Sequence, residues 1–233
     1  MEKIIQQHAD TKCPKCQIPI IKMATYQRKI TDIQSKDIYW CLVKAKQITP
    51  SCIERWSRDD VILTDNQWKE IFTKTKYITK IVRYKILNLK IIHKNYASDV
   101  IVSKFDKSVE ASCILCNEDK DIMHIFCNCK NVELFWHLLG NWLRRNLVEN
   151  IVINNRMKLL GCVKGDVPQE FCFVIDYTLL QARIYIHKCH IKKDNVYFTQ
   201  FLLILRKNIE IEQSFFNVNS KRYREFGILI DLL

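Results

Sequence analysis

Cys113-Ile-Leu-Cys116, followed after seven residues by His124 and after four more by Cys129, is the stretch that sets the organisation of this chain. Three thiols and one imidazole within seventeen positions supply the four sulfur and nitrogen donors of a closed tetrahedral zinc site. A Cys-x-x-Cys turn points two sulfurs at one metal, and the loop 117–123 must then return His124 and a last cysteine to it. The run His124-Ile-Phe-Cys-Asn-Cys places both Cys127 and Cys129 within reach, and spacing alone leaves the two open. Cysteine is also a common core residue. Against a purely packing role stands the loop Asn117-Glu-Asp-Lys-Asp121, which is too polar to bury and which nothing else in view would order.

Outward from this stretch the composition is that of a folded, helical, basic protein. Its 233 residues suffice for one domain or two closely packed ones. Hydrophobic residues make up 48%, while only 4 Gly and 4 Pro punctuate the chain, which favours long helices over many short strands. A formal net charge of +12 is the electrostatic footprint of a polyanionic partner, nucleic acid or anionic lipid. The 11 cysteines are odd in number, and no N-terminal secretory signal is recognisable, so a reducing intracellular compartment, nucleus or cytoplasm, is expected. No apolar run approaches the roughly 20 residues of a membrane span.

Residues 1–34 form an unassigned leader. Cys13-Pro-Lys-Cys16, with His8 upstream, repeats the two-residue gap but lacks a fourth ligand. Region 35–110 is expected to be helical. Ser35 caps Lys36–Lys44, Thr49-Pro50 opens a helix through Trp56, and Asp65 caps a third carrying Trp68, Ile71 and Phe72 on one face. A longer helix is read from Tyr77 to about Asn95, with Ile78, Ile81, Val82, Leu89 and Ile92 inward and Lys80, Arg83, Lys90 and Lys94 in an arc on another face. Between Lys69 and Lys94 eight Lys or Arg meet one carboxylate, a surplus that can lie along a phosphate backbone or simply form a solvated helix face. Lys85 falls among the apolar residues and would have to snorkel.

The knuckle, 111–131, separates this region from a second helical part, 132–233. There Val132, Phe135, Trp136, Leu139, Leu143 and Leu147 trace one face. Gly161 to Gly165 make a turn, a helix of about 25 residues runs from Pro168 to Lys193, and another runs from Tyr197 to Phe216. Asn219 or Ser220 caps the last helix, whose basic first turn, Lys221, Arg222 and Arg224, opposes the helix dipole and hints at an anion. The fold class is therefore all-α, helical bundles with a small Cys-Cys-His-Cys zinc knuckle between them.

The order Lys36-Asp-Ile-Tyr-Trp40, Ile48-Thr-Pro50, Trp56, Trp68, Tyr84-Lys-Ile-Leu87, Cys113-Ile-Leu-Cys116, His124-Ile-Phe126, Cys129, Leu134-Phe-Trp136 resembles the C-terminal region of the reverse transcriptases of LINE-type (non-LTR) retrotransposons. Leu159-Leu-Gly-Cys162 and Ile184-Tyr-Ile-His-Lys188 are similar to that family's closing helices. The resemblance implies Cys113, Cys116, His124 and Cys129 as the ligands of a structural Zn2+. It also implies RNA or the RNA/DNA intermediates of target-primed reverse transcription as partners, together with the polymerase portion of a parent protein. The polymerase's carboxylate tetrad has no counterpart: Val174-Ile-Asp-Tyr177 carries one carboxylate within a helix, and Asp59-Asp60 follows Arg58 in a capping context. Two-metal nucleotidyl transfer needs several convergent carboxylates, so a non-catalytic C-terminal piece is expected. The rival reading is a protein-interaction module that docks on the polymerase without touching nucleic acid. A zinc hydrolase would require an open position on the metal.

Overall fold

The computed structural model describes residues 49–233, together with the backbone of two strands, β1 (Ile20–Met23) and β2 (Tyr26–Lys29). The strands pair antiparallel, with Ile20 opposite Lys29 and Met23 opposite Tyr26. The expectations placed on His8, Cys13, Cys16 and the helix Lys36–Lys44 lie outside the described residues. The chain separates into two units, Met1–Pro50 and Ser51–Leu233.

The second unit is helical, as its scarcity of turn-formers led one to expect. Its helices are α1 (Ser51–Ser57), α2 (Asp65–Tyr77), α3 (Val82–Ile92), α4 (Asp99–Val102), a π-helical turn (His124–Asn128), α5 (Lys130–Asn146), α6 (Asn155–Leu160), α7 (Cys172–Lys192), α8 (Phe198–Gln213) and α9 (Lys221–Asp231). One continuous hydrophobic core extends from Cys52 to Leu229. At its centre lies α7, which packs against α3, α6, α8, α9 and the π-helical turn. Residues 172–186 of α7 are all buried, so the helix has no solvent face and no amphipathic period to show.

A helix buried all round must satisfy its polar side chains internally. Asp176 pairs with Lys74 at 3.0 Å and accepts from the Cys162 amide at 2.6 Å. Arg183 donates to the Lys158 carbonyl and to Asn88 Oδ1, each at 3.0 Å. Gln181 accepts from Asn208 at 2.8 Å. These bonds join α7 to α2, α3, α6 and α8 with directional contacts that apolar packing alone does not provide.

The structure corrects the long helix read from Tyr77 to Asn95. The α2 helix ends at Tyr77, and α3 begins only at Val82. The break is made by Glu212 of α8, fully buried, whose carboxylate accepts from the Thr79 hydroxyl and, at 2.9 Å, from the Lys80 amide. The Ile81 amide turns to Thr79 Oγ1 at 3.1 Å, so these amides serve side chains instead of continuing the helix. The break rotates α3: Val82 and Leu89 are exposed, and Tyr84, Leu87, Asn88, Ile91 and Ile92 face inward. Lys85 consequently reaches partial exposure. Lys94 lies beyond the helix in the left-handed region, φ 53°, where the Asn95 amide bonds back to the Lys90 carbonyl at 2.7 Å and closes the end.

Smaller corrections concern helix ends. Thr64, not Asp65, caps α2 through a reciprocal box with Gln67. The α7 helix begins at Cys172, four residues after Pro168, and ends with Lys193 left-handed at φ 58°. The α8 helix stops at Gln213, short of Phe216, and Ser220 is the cap of α9, its hydroxyl accepting from the Tyr223 amide at 3.2 Å.

Gly161 ends α6 at φ 84°, ψ −171°, a backbone region open essentially to glycine alone. A Cβ there would also lie 2.7 Å from Asp176 Oδ1. Gly161→Ala is therefore expected to destabilise the protein by at least about 2 kcal/mol in urea unfolding. Gly227, inside α9 with open space where a Cβ would go, should behave oppositely, Gly227→Ala adding roughly 0.5–1 kcal/mol.

Candidate metal centre

The knuckle is assembled by a short hairpin and two helical ends. Ser112 and Asp119 form an antiparallel bridge, the Cys113 amide donates to the Glu118 carbonyl at 2.8 Å, and the Lys120 amide donates to the Ala111 carbonyl at 2.7 Å. Between these bonds the Asn117 amide returns to the Cys113 carbonyl at 2.8 Å, with Asn117 left-handed at φ 57°, a conformation asparagine tolerates. This tight turn puts Cys113 and Cys116 on one side. Asp121 then caps the next segment, its carboxylate accepting from the His124 amide at 2.7 Å.

The spacing of four residues between His124 and Cys129 is served by the π-helical turn. The Cys129 amide bonds to the His124 carbonyl at 3.0 Å, an i to i+5 closure that brings residue 129 back over residue 124. Cys129 is at the same time the N-terminal flank of α5.

Donor atoms of Cys113, Cys116, His124 and Cys129 all lie within 4.8 Å of one another. The Sγ atoms of Cys113 and Cys129 are 3.8 Å apart, those of Cys116 and Cys129 4.0 Å. Sulfurs held about 2.3 Å from a tetrahedral metal lie about 3.8 Å from each other, so the spacing fits a shared ion. His124 supplies a second indication. Its Nδ1 meets Glu118 Oε2 at 3.0 Å, while Nε2 is buried and has no hydrogen-bond partner among the described residues. A carboxylate on one imidazole nitrogen orients the ring and leaves the other nitrogen as the ligand.

The electrostatics agree. Burial pushes the Cys113 thiol up, but the His124 imidazole and the amides of Leu115 and Cys116 outweigh it and bring the thiol to about 7. Burial and the neighbouring sulfurs of Cys113 and Cys116 push Cys129 up to about 12, with the Asn131 amide opposing. Sulfurs this close cannot share negative charge without a cation between them. The Lys130 amide, at the N-terminus of α5, donates to Cys116 Sγ at 3.3 Å and adds the positive end of a helix dipole.

Cys127, the competing thiol, is not part of the cluster. It is buried in the core, where desolvation pushes it up to about 12 although Lys158 and Arg183 pull the other way. Glu118 was not among the ligands anticipated, and only its placement six residues before His124 could have suggested that it orients the ring.

The basic candidates divide. Arg83 and Lys90, one and eight residues into α3, are exposed and line the same groove as Cys113 and His124. Lys80 is exposed over the Phe216 ring at 5.4 Å. Lys94 is engaged internally: it pairs with Asp59 at 2.5 Å, donates to the Arg55 carbonyl at 2.9 Å and covers the Trp56 ring. Arg222 stacks 3.6 Å from the Phe173 ring centroid and pairs with Glu225 at 2.9 Å. Lys221 is exposed, 3.7 Å from the same carboxylate, and Arg224 is exposed. Among the described residues no helix is long and apolar enough to cross a membrane.

No protein-family model matches the chain, and no curated protein matches it.

The purified protein should carry one equivalent of bound metal by elemental analysis, lost in Cys113→Ser and retained in Cys127→Ser. Glu118→Ala should keep the metal but weaken its affinity about tenfold in competition with a chromophoric chelator, because the imidazole loses its orienting partner.

Proposed function

We propose that the chain is a non-catalytic zinc module that binds nucleic acid, RNA or an RNA/DNA intermediate, and serves in target-primed reverse transcription as the C-terminal part of a LINE-type reverse transcriptase. The observation that carries the reading is a closed donor set, Cys113, Cys116, His124 and Cys129, sharing a groove with the exposed cations Arg83 and Lys90. Three thiolates and an imidazole suit zinc, which is bound in such sets as a structural ion. With all four positions taken by protein, no open position remains for an activated water. The ion's role is then to clasp the hairpin to the start of α5.

The order of motifs that resembles the retrotransposon enzymes supports the assignment to that machinery, and the net charge of +12 supports a polyanionic partner. Contacts of this kind run to phosphates and carry little sequence information.

Filter binding of the zinc-loaded chain to single-stranded RNA tests the reading. If about four phosphates are neutralised, affinity should fall roughly fiftyfold between about 50 and 200 mM monovalent salt. Binding that ignores salt, or no binding at all, would instead favour docking on the polymerase portion of a parent protein.

A further inference from the structure

The groove beside the metal centre, about 970 Å3 in volume, has walls of different chemistry. Its lining includes Arg83 and Lys90 of α3, His187 and Lys193 at the C-terminal end of α7, and Ile114 and Leu115 of the knuckle. Between two metal ligands these last two side chains are 88% and 56% exposed. Ile86 and Ile191, also exposed, add to the aliphatic surface of the same groove. The knuckle turn is held by its backbone bonds, so a ligand that covers Ile114 and Leu115 pays little to order them.

Charge specifies what covers them. Asp99, inside the groove, is already paired with Lys120 at 2.8 Å and with His190 at 2.9 Å. Glu110 and Asp194 also line the groove, and they are outnumbered by Arg83, Lys90 and Lys193, with Lys188 close by over the Tyr84 ring. His187 registers this surplus: burial pushes its imidazole down, and His190, Lys90 and Lys188 push it further. Tyr96 holds its Nδ1 at 2.9 Å.

Exposed apolar side chains beside cations match the two chemistries of an unpaired nucleotide, an open base face that is largely apolar and a phosphate that is anionic. We propose that this groove holds a single strand of nucleic acid, with its bases on Ile114 and Leu115 and its phosphates on Arg83, Lys90 and Lys193. A duplex hides its base faces and could use only the cations. This inference rests on the nucleic-acid reading above and goes beyond it by excluding duplex and by locating the contact.

A 20-nucleotide oligouridylate and an RNA duplex of equal length, titrated against the zinc-loaded chain, provide the test. The single strand should bind at least tenfold more tightly. Ile114→Ser with Leu115→Ser should cost about tenfold on the single strand, leave duplex binding within twofold and retain the metal. Arg83→Ala with Lys90→Ala should lower the salt slope by about 1.4. Arg206→Ala with Lys207→Ala, an equal loss of charge on exposed positions of α8, should change single-strand affinity by less than threefold. Equal affinity for duplex, or loss confined to Lys221→Ala with Arg224→Ala, would overturn the groove and leave the nucleic-acid reading standing. Absence of binding by the unmutated chain would remove both.

Discussion

The i to i+5 hydrogen bond from the Cys129 amide to the His124 carbonyl links the metal centre to the core. An ordinary α-helical turn would carry Cys129 away from His124. The widened turn brings both onto the metal side, while Ile125, Phe126 and Cys127, between them, are buried on the other. Phe126 is fully buried against Tyr96, edge to face at 5.0 Å, and its carbonyl accepts from the Trp136 indole at 2.7 Å. Five residues therefore do two jobs. An ion held in the knuckle would fix the turn, and the turn fixes where α5 starts and how Trp136 meets the core.

The same division between apolar mass and directional bonds recurs in α7. Its buried side chains are mostly apolar, yet apolar packing of about the right volume leaves a helix some freedom in its placement. Asp176, Gln181 and Arg183 remove that freedom, because each reaches a partner at only one axial position. Gly161 completes the arrangement, since only a residue without a Cβ lets the Cys162 amide approach Asp176 this closely.

The metal centre was legible in the sequence because its ligands are local: four donors in seventeen positions leave few arrangements. The choice between Cys127 and Cys129 was not legible in the spacing and came only from the resemblance, since it depends on whether the turn after His124 is α or π, a matter of how Phe126 packs. Periodicity found α5 because that helix has one dry face. It misplaced the inward face of α3 because the interruption at 78–81 is imposed by Glu212, more than 130 residues away in sequence. The cap at Thr64 was within reach, as Thr64 and Gln67 stand at capping-box spacing, but Asp65 offered an equally good side chain one position later. Short elements such as α4 and α6 carry too few residues to show any period.

Net charge, too, needed the structure before it could be read. Lys74, Lys94 and Arg156 are committed to carboxylates at 3.0 Å or less, and Arg183 is buried among amides and carbonyls. These cations stabilise the fold and are not available to a partner. The surplus that reaches solvent beside the knuckle is smaller, and with a dication bound it would act next to a centre that is itself anionic, because three thiolates around a dication leave one negative charge. The Lys130 amide and the N-terminal end of α5 face that charge, and Lys120 with His190 neutralises Asp99 close by. Asp99 is answered internally, but Glu110 and Asp194 also line the groove, so the surplus it presents through Arg83, Lys90 and Lys193 is small, and a phosphate backbone held there would depend on direct contact with these three cations more than on the field of the whole molecule.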